Sequence, residues 1–164
     1  EYDAEKDVFT FNDQFYALFH TTAEVHGGYH LSSAYYAQHF VHPDDLPLVG
    51  AEIEMALHST ERHFSRSLEH RILKADGSLG YISVNINVER DEAGNILRWY
   101  GANQDITERK QAEEALRQNE AELSQALRIA KLAYWEYDVE KDLFTFNDQF
   151  FALFHTTVED HGGF

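Results

Sequence analysis

The amino-acid sequence predicts an α+β domain, in which a five-stranded antiparallel sheet carries short helices on one face and a long C-terminal linker helix follows. Three observations support this fold class. Strand-like alternation opens the chain, helical spacing of apolar residues comes next, and alternation returns over residues 62–107. Strands that are grouped apart from helices favour an α+β arrangement. Beyond Asp105 the composition changes to a Glu-, Ala-, Leu- and Gln-rich helix without Gly or Pro.

The first strand and the first helix lie in the segment DVFTFNDQFYALF, residues 7–19. Its first six residues alternate apolar and polar side chains, which is the period of a strand. Asn12 or Asp13 then provides a side-chain cap for a short helix, because either side chain can accept a backbone N–H that has no partner within the helix.

Two further helices are predicted before the sheet resumes. Ser32 or Ser33 caps a helix that runs to Phe40. HPDDLPLVGAEIEMALHS, residues 42–59, forms a third helix with two aspartates in its first turn, where carboxylates complement the helix dipole. Its apolar residues recur on one stripe: Val49, Ile53, Ala56 and Leu57.

Residues 62–107 are predicted to form a three-stranded antiparallel meander. Asp76-Gly77 supplies the first hairpin turn, and Gly94 marks the second. In the middle strand, apolar and polar side chains alternate, so one face of the sheet is buried and the other is polar. The apolar set is Ile82, Val84, Ile86 and Val88, and the polar set is Ser83, Asn85, Asn87 and Glu89.

Residues 1–29 recur almost unchanged as residues 136–164, and six of the 29 aligned pairs differ. The repeat distance of 135 residues is too long for a solenoid and fits a domain plus a linker. We therefore expect a fragment of a tandem array. Its parts are a domain at 1–106 that lacks the very start of its first strand, a coiled-coil-like helical linker at 107–133, and the N-terminal part of a second, truncated copy at 134–164.

Composition and charge exclude several classes of function. Without cysteine, the chain has no disulfide, thiolate metal site or cysteine nucleophile. The net charge of −16 disfavours nucleic acid, because phosphate binding requires clustered Lys and Arg. No run of about 20 apolar residues is present, so we expect no membrane contact by these residues and a cytoplasmic location, with a membrane anchor elsewhere in the parent protein left open.

The order of the motifs resembles the PAS domain with its C-terminal PAC motif. The motifs are NDQF, HPDD, RILKADGS, ERDEAGNI and GANQDITERKQAEEALR. The resemblance covers residues 1–109 and, through the second copy, 134–164, and it is strongest to the PAS domains that recur in bacterial sensor histidine kinases and diguanylate cyclases. It implies a sensory module and no enzyme, any kinase or cyclase domain lying outside this fragment.

The resemblance also implies a small pocket between the helices and the inner face of the sheet. By position, the residues that would line it are Phe15, Phe19, Tyr36, Phe40, Ile53, Leu57, Ile72, Val84, Ile86 and Tyr100. Apolar spacing alone does not distinguish a lined pocket from a filled core. A purely structural dimerisation and spacing unit with a filled core therefore remains the alternative to a ligand-binding sensor.

Cofactors are disfavoured by departures from the cofactor-binding branches of the family. The blue-light and photoactive yellow branches both need a cysteine, and this chain has none. A haem sensor of this kind usually offers a histidine from the middle of the third helix, whereas His42 lies at its start and His58 at its end. No cofactor is required, and haem or flavin remains a less favoured third reading.

A metal or catalytic site is not predicted. His39, His42, Asp44 and Asp45 lie close together in sequence, but their spacing matches no recognised ligand set. A short turn that caps a helix explains both aspartates, and no nucleophile–base pair can be assembled from the chain.

The junction between the domain and the linker helix is Asp105-Ile106-Thr107. Thr107 or Asp105 can cap the helix that follows, and Ile106 can dock it against the domain. The resemblance gives this junction a signalling role, in which movements of the sheet reach the start of the helix.

The linker and the second copy predict self-association. Leu116, Leu123 and Ala130 recur every seven residues between small or polar positions, which indicates a marginal two-stranded coiled coil. The second copy alone would expose strand edges and aromatic side chains. We expect a homodimer, domain-swapped through residues 134–164, with a small-molecule ligand and a downstream effector domain as further partners.

Overall fold

Two hydrogen-bonded sheets account for the β-structure of the N-terminal unit, Glu1–Lys110. The computed structural model describes residues 1–157 and residue 159, and its second unit begins at Gln111. None of the helices in these described ranges combines the length and the apolar character that a membrane span requires. The end of the predicted second copy, residues 158 and 160–164, lies outside the described residues.

The N-terminal sheet is antiparallel and has the order β1 (Tyr2–Asp3), β2 (Val8–Thr10) and β3 (His30–Ser32). Asp7, in the turn before β2, has φ 52°, and its carboxylate accepts a hydrogen bond from the Tyr2 hydroxyl at 2.9 Å. Aspartate visits this left-handed region more readily than most residues because its short polar side chain can bond locally.

Helices α1 (Asp13–Leu18), α2 (Ser33–Phe40) and α3 (Leu46–His58) supply the helical layer. The predicted caps are confirmed: Asn12 accepts the Phe15 N–H, and Ser32 accepts the Tyr35 N–H. The predicted start of the third helix is corrected, because Pro43–Asp45 forms a separate 3-10 turn. Pro47 has no N–H to donate to the Pro43 carbonyl, so one continuous α-helix cannot begin there.

The predicted three-stranded meander is confirmed as β4 (His63–Leu73), β5 (Leu79–Arg90) and β6 (Ile96–Asp105), all antiparallel. Gly77 and Gly94 occupy its two turns with φ of 81° and 88°, a region that glycine enters without a Cβ clash. The buried residues of β5 alternate along the strand, and we call the face that carries them the inner face.

The predicted single five-stranded sheet is not present, because β1–β2–β3 and β4–β5–β6 are separate hydrogen-bonded sheets. Side chains join β1 to β6: the Tyr2 and Trp99 rings lie 4.9 Å apart, and Arg98 pairs with Glu1 at 2.9 Å. A two-residue strand offers few backbone groups for a second ladder, and its backbone is already paired with β2. The short strand β3 was not predicted.

The core of the first unit has two clusters of buried side chains. The larger one combines α1 and α2 with β4 and β5, and the smaller one joins the C-terminal half of α3 to β5 and β6. Phe15, Phe19 and Phe40 form an aromatic centre of the larger cluster, with ring centroids 4.6–5.3 Å apart. These clusters fix the helices over the inner face.

Two arginines hold the ends of α3. Arg90 is buried and donates to the Ala56 carbonyl at 2.5 Å, so it satisfies a carbonyl at the C-terminal end of the helix. At the other end, Arg71 of β4 donates from its side chain and its backbone N–H to Asp45. The hydrogen bond from Arg71 keeps the pKa of Asp45 below its ordinary value.

The second unit contains the larger part of α4 (Thr107–Ile129), the hairpin β7 (Trp135–Asp138) and β8 (Leu143–Phe146), and α5 (Asp148–Leu153). The helix ends at Ile129, and Lys131 beyond it has φ 51°. The Asn147 side chain caps α5 by accepting the Phe150 N–H, and it also donates to the Leu132 carbonyl at 2.9 Å.

Candidate ligand-binding site

A partly open cavity of about 600 Å³ lies in the first unit. Its wall comes from β1 and β2, from α1, α2 and α3, and from the inner face of β4–β5–β6. Pockets of 300–1,000 Å³ hold small organic molecules in other proteins, so this volume is sufficient for one.

Stacked aromatic rings form one side of the cavity. Phe11 stacks on Phe15 with ring centroids 3.6 Å apart and on Tyr36 at 5.7 Å, and Phe9 stacks on Phe11 at 5.5 Å. All four rings belong to the cavity wall. Their flat apolar surfaces suit a planar apolar guest, because offset-stacked rings attract one another.

His70 and Asn103 bring polar atoms to the same wall. His70 pairs with Ile82 across β4 and β5, and Asn103 pairs with Val84 across β5 and β6, so both side chains lie on the inner face. Burial lowers the pKa of His70, because an imidazolium would lose its hydration there. The neutral imidazole is therefore the form present at neutral pH.

The wall carries almost no charge. Among the described residues that line the cavity, Glu1 alone has a carboxylate side chain, which pairs with Arg98, and its terminal ammonium donates to the Thr10 carbonyl. The part of the lining that the structure describes includes no lysine or arginine. A carboxylate or phosphate on a guest would therefore lose its hydration without gaining a cationic partner, which is costly.

The structure separates the ten predicted pocket residues into two groups. Six belong to the cavity wall: Phe15, Tyr36, Ile53, Val84, Ile86 and Tyr100. The other four pack in the core outside the wall: Phe19, Phe40, Leu57 and Ile72. Residues of the helices and strands thus divide between lining the cavity and filling the space around it.

Tyr100 differs from the other predicted lining residues in the direction of its side chain. It pairs with Asn87, so its ring shares the sheet face that is opposite to Val84 and Ile86. The Tyr100 hydroxyl donates to Glu89 at 3.1 Å, and the Arg98 guanidinium lies 4.3 Å from the ring centroid.

Sequence reasoning missed several residues of the wall, and His70 is the one with most chemical consequence. The Asp76-Gly77 turn and the alternation back from buried Ile72 would have placed His70 on the inner face. The other residues that sequence reasoning missed include Phe9, Phe11, Val49, Leu68, Trp99 and Asn103.

The predicted junction residues lie where β6 ends and α4 begins. Ile106 is buried, and its N–H donates to the Tyr81 carbonyl at 3.0 Å. The Thr107 hydroxyl accepts the Tyr81 N–H at 3.0 Å, and Asp105 accepts the Thr107 N–H at 2.8 Å. The junction is thereby fastened to the first residues of β5.

Glu69 of β4 holds the first turn of α4. Arg109 lies 2.6 Å from one of its carboxylate oxygens, and Lys110 lies 2.8 Å from the other. Hydrogen bonds from Lys110 and Arg109 keep the pKa of Glu69 below its ordinary value. All of these groups are partly exposed, so salt screens their attraction.

The histidines and aspartates before α3 are engaged in turn and strand contacts. His42 caps the 3-10 turn by accepting the Asp44 N–H, and Asp45 binds Arg71. The His39 ring stacks on Tyr35 with centroids 3.9 Å apart. His58, at the last position of α3, is exposed and bonds the Glu54 carbonyl.

The fold and the cavity agree with a match to a family model. The model described as PAS fold matches residues 9–103, and the chain belongs to this family. A methyl sulfide methyltransferase-associated sensor of Methanosarcina acetivorans is 37% identical over 76 residues, which are 46% of this chain. An uncharacterized protein, y4lL, of Sinorhizobium fredii is 34% identical over 95 residues, or 58% of this chain. These matches span 7% and 11% of the two relatives' lengths.

Solved structures share the fold at low sequence identity. A sensory box histidine kinase/response regulator of Burkholderia thailandensis has a TM-score of 0.60 and 21% identity, over 76% of this chain and 87% of that one. The N-terminal domain of a diguanylate cyclase with PAS/PAC sensor of Marinobacter aquaeolei has a TM-score of 0.54 and 21% identity, over 66% of this chain and 94% of that one.

Proposed function

We propose that residues 1–106 form a sensory and relay domain, that residues 107–133 form a helical linker, and that residues 134–164 begin a second, truncated repeat. In this proposal the cavity binds a small molecule, and α4 passes the resulting change to a downstream effector. The domain performs no catalysis itself. PAS domains are sensory modules of signalling proteins, and the family membership supports this role.

One observation carries the proposal: β6 forms part of the cavity wall and runs directly into the junction. Residues 99–103 line the cavity, and Asp105 ends the strand next to Ile106. A guest that displaces β6 would therefore act on the junction without an intervening element. The junction residues are hydrogen-bonded to Tyr81 of β5. A movement of β6 relative to β5 would therefore shift the first turn of α4.

The cavity also supports a ligand-binding role over a purely structural one. A filled core would leave no space for a guest, whereas a partly open cavity of about 600 Å³ lies between the helices and the sheet here. The uncharged wall disfavours haem and flavin nucleotides, whose propionates or phosphates need cationic partners. We propose an uncharged small ligand and no resident cofactor.

Narrowing the cavity tests the ligand-binding role. Val84→Trp adds a large ring on the inner face, and Ser83→Trp adds the same ring on the outer face as a matched control. Native mass spectrometry of the wild type is expected to show a non-covalently bound small molecule that Ser83→Trp retains and Val84→Trp loses. In a filled core, Val84→Trp would lower the free energy of unfolding by at least about 1–3 kcal/mol.

A bound mass that persists in Val84→Trp, or a wild type without any bound mass, would contradict the role. An absorption spectrum without a band in the visible range is expected as well. A visible band that co-purifies with the chain would support the haem or flavin reading instead.

We further propose that the chain forms a homodimer through α4 and the second copy. Leu116 and Leu123 of α4 are each 61% exposed and lie on one stripe, as the weak coiled-coil pattern predicts. The second copy exposes Leu153 and Phe154. Their counterparts in the first copy, Leu18 and Phe19, pack against the core of the first unit, so in a domain swap the second copy of one chain replaces the first copy in the core of another.

Light scattering tests this assembly. The full chain is expected to show a concentration-dependent dimer, and a variant ending at residue 133 should dimerise more weakly through α4 alone. Equal dimerisation of both chains would exclude the swap. A monomer at all concentrations would exclude self-association altogether.

The parent protein is proposed to be a cytoplasmic, multi-PAS signalling protein of the histidine kinase or diguanylate cyclase type. The structural relatives carry those names, but the shared identity of 21% shows their fold alone.

A further inference from the structure

The tautomer of His70 follows from its one hydrogen bond. The ring Nδ1 lies 2.9 Å from the Arg71 carbonyl oxygen, which can only accept, so Nδ1 carries the proton. In the neutral ring, Nε2 then bears a lone pair and accepts hydrogen bonds. The lowered pKa of His70 agrees with this neutral form.

Nε2 is the polar ring atom left for the cavity. His70 is 3% exposed and belongs to the cavity wall. No hydrogen bond from any described residue reaches Nε2, and among the described residues Glu52 Oε1, not Nε2, is the fully buried side-chain atom without a hydrogen-bond partner. Nε2 therefore keeps contact with the accessible space of the cavity, where its lone pair can accept a hydrogen bond from a guest.

Two further polar groups of the wall lack a partner among the described residues. The Tyr36 hydroxyl is on a side chain that is 8% exposed, and the Asn103 amide lies across β5 from His70. Strand spacing puts the Cα atoms of His70 and Asn103 about 12 Å apart, from two strand separations and two residues of rise. Polar atoms thus lie at separated points on a wall that is otherwise mainly apolar.

We propose that the ligand of this cavity is an uncharged, planar aromatic molecule that donates an N–H or O–H hydrogen bond to His70 Nε2. The stacked rings of Phe11, Phe15 and Tyr36 contact its flat face, and the Tyr36 hydroxyl and the Asn103 amide bond polar groups elsewhere on it. This inference rests on the proposed function, because it assigns the chemistry of the molecule that the cavity senses.

A pair of probes with one different atom tests the hydrogen bond to His70. Indole has an N–H donor, and benzothiophene has nearly the same shape without one. Each is titrated into the intact chain, and binding is followed by NMR chemical shifts of the Val84 and Ile53 methyl groups. Indole is expected to bind about five-fold more tightly, the effect of one net hydrogen bond.

Two variants separate His70 from a general effect on the fold. His70→Phe keeps a flat ring and removes the acceptor, and His63→Phe makes the same change on the outer face of the same strand. His70→Phe is expected to abolish the preference for indole and to leave benzothiophene affinity unchanged. His63→Phe should retain the five-fold preference. The wild-type comparison stands by itself if His70→Phe does not fold.

The outcomes distinguish this inference from the proposed function. If indole and benzothiophene bind the wild type equally, His70 is not the acceptor, and the cavity remains a binding site. If both bind and the preference persists in His70→Phe, another group accepts the N–H, and the inference is overturned. If neither probe shifts the methyl signals, both the inference and the ligand-binding role of the cavity fail.

Discussion

The two copies of the repeated segment have nearly the same sequence and the same local structure, yet opposite burial. Phe19, in the first copy, is 1% exposed, and its counterpart Phe154 is 62% exposed. The first copy packs against residues 31–82 of its own unit. Secondary structure in these segments is therefore a property of the segment, whereas burial depends on the chain that follows it.

The shared features all depend on neighbours a few residues away. Asp7 and Asp142 have φ of 52° and 50°, and each carboxylate accepts a hydrogen bond from the tyrosine five residues before it. Asn12 and Asn147 cap their helices in the same way. The stacked pair at the start of each helix is also repeated, with centroids 3.6 Å apart in the first copy and 4.2 Å apart in the second.

The largest difference between the copies is expected for the buried phenylalanine. Phe19→Ala should lower the free energy of unfolding by about 3–5 kcal/mol, because it leaves a cavity in a packed aromatic centre. At a dilution where no dimer forms, Phe154→Ala should change it by less than about 0.5 kcal/mol, because the ring is exposed. Urea unfolding followed by Trp99 fluorescence, in a Trp135→Phe background, measures both. Equal losses would mean that the second copy is buried as well.

A smaller difference is expected where the copies differ naturally. The Tyr16 hydroxyl donates to the Gly28 carbonyl at 2.6 Å, and the second copy has Phe151 at this position. Tyr16→Phe should cost about 1 kcal/mol of stability, the net contribution of one hydrogen bond. Phe151→Tyr should leave the urea midpoint of the first unit within experimental error. A stabilising effect of Phe151→Tyr would show that the two copies have more similar surroundings than the structure indicates.

Removal of the two helix caps should affect different parts of the chain. Asn12→Ala should reduce the stability of the first unit by about 1 kcal/mol, because α1 is part of its cooperative core. Asn147→Ala should leave that stability unchanged and speed the amide exchange of α5 alone. Hydrogen exchange by mass spectrometry resolves the two helices. Faster exchange throughout the chain after Asn147→Ala would contradict the independence of the copies.

The smallest difference is expected for two equivalent carboxylates. A hydrogen bond from Lys6 lowers the pKa of Asp3 from 3.8, and one from Lys141 lowers that of Asp138. Because the pKa of each carboxyl is lowered, each ion pair stabilises its turn fully at a pH above the ordinary pKa of aspartate. This stabilisation is lost as the pH falls through the lowered pKa of the folded state. NMR titration should give similar pKa values for both. Clearly unequal values would show that distant charges, and not the local lysine, control them.

The contrast between shared local structure and different burial also explains which features the sequence could predict. Asn12, Ser32 and the Asp76-Gly77 turn were identified correctly because each acts on residues within one turn of itself. The alternation of β5 gave the buried face of the meander for a similar reason. These signals are short in range, and they are repeated intact in the second copy where the sequence repeats.

The cavity and the polar groups on its wall could not be predicted in the same way. Whether Val84 lines a cavity or fills the core depends on the distance between the helices and the sheet. The spacing of apolar residues along the sequence does not determine that distance. His70 lies in a strand that the sequence predicts, but it becomes a candidate binding residue only because the cavity lies next to its side chain. The separation of the two sheets likewise depends on how β1 and β6 approach each other.

Hydrogen exchange of the two repeated helices in one sample tests the central claim most directly. In dilute solution, where no dimer forms, amides of α1 should be protected to nearly the full stability of the first unit, and amides of α5 should exchange almost freely. Equal protection of α1 and α5 in the dilute monomer would contradict the claim that residues following the first copy, and not its sequence, determine its burial.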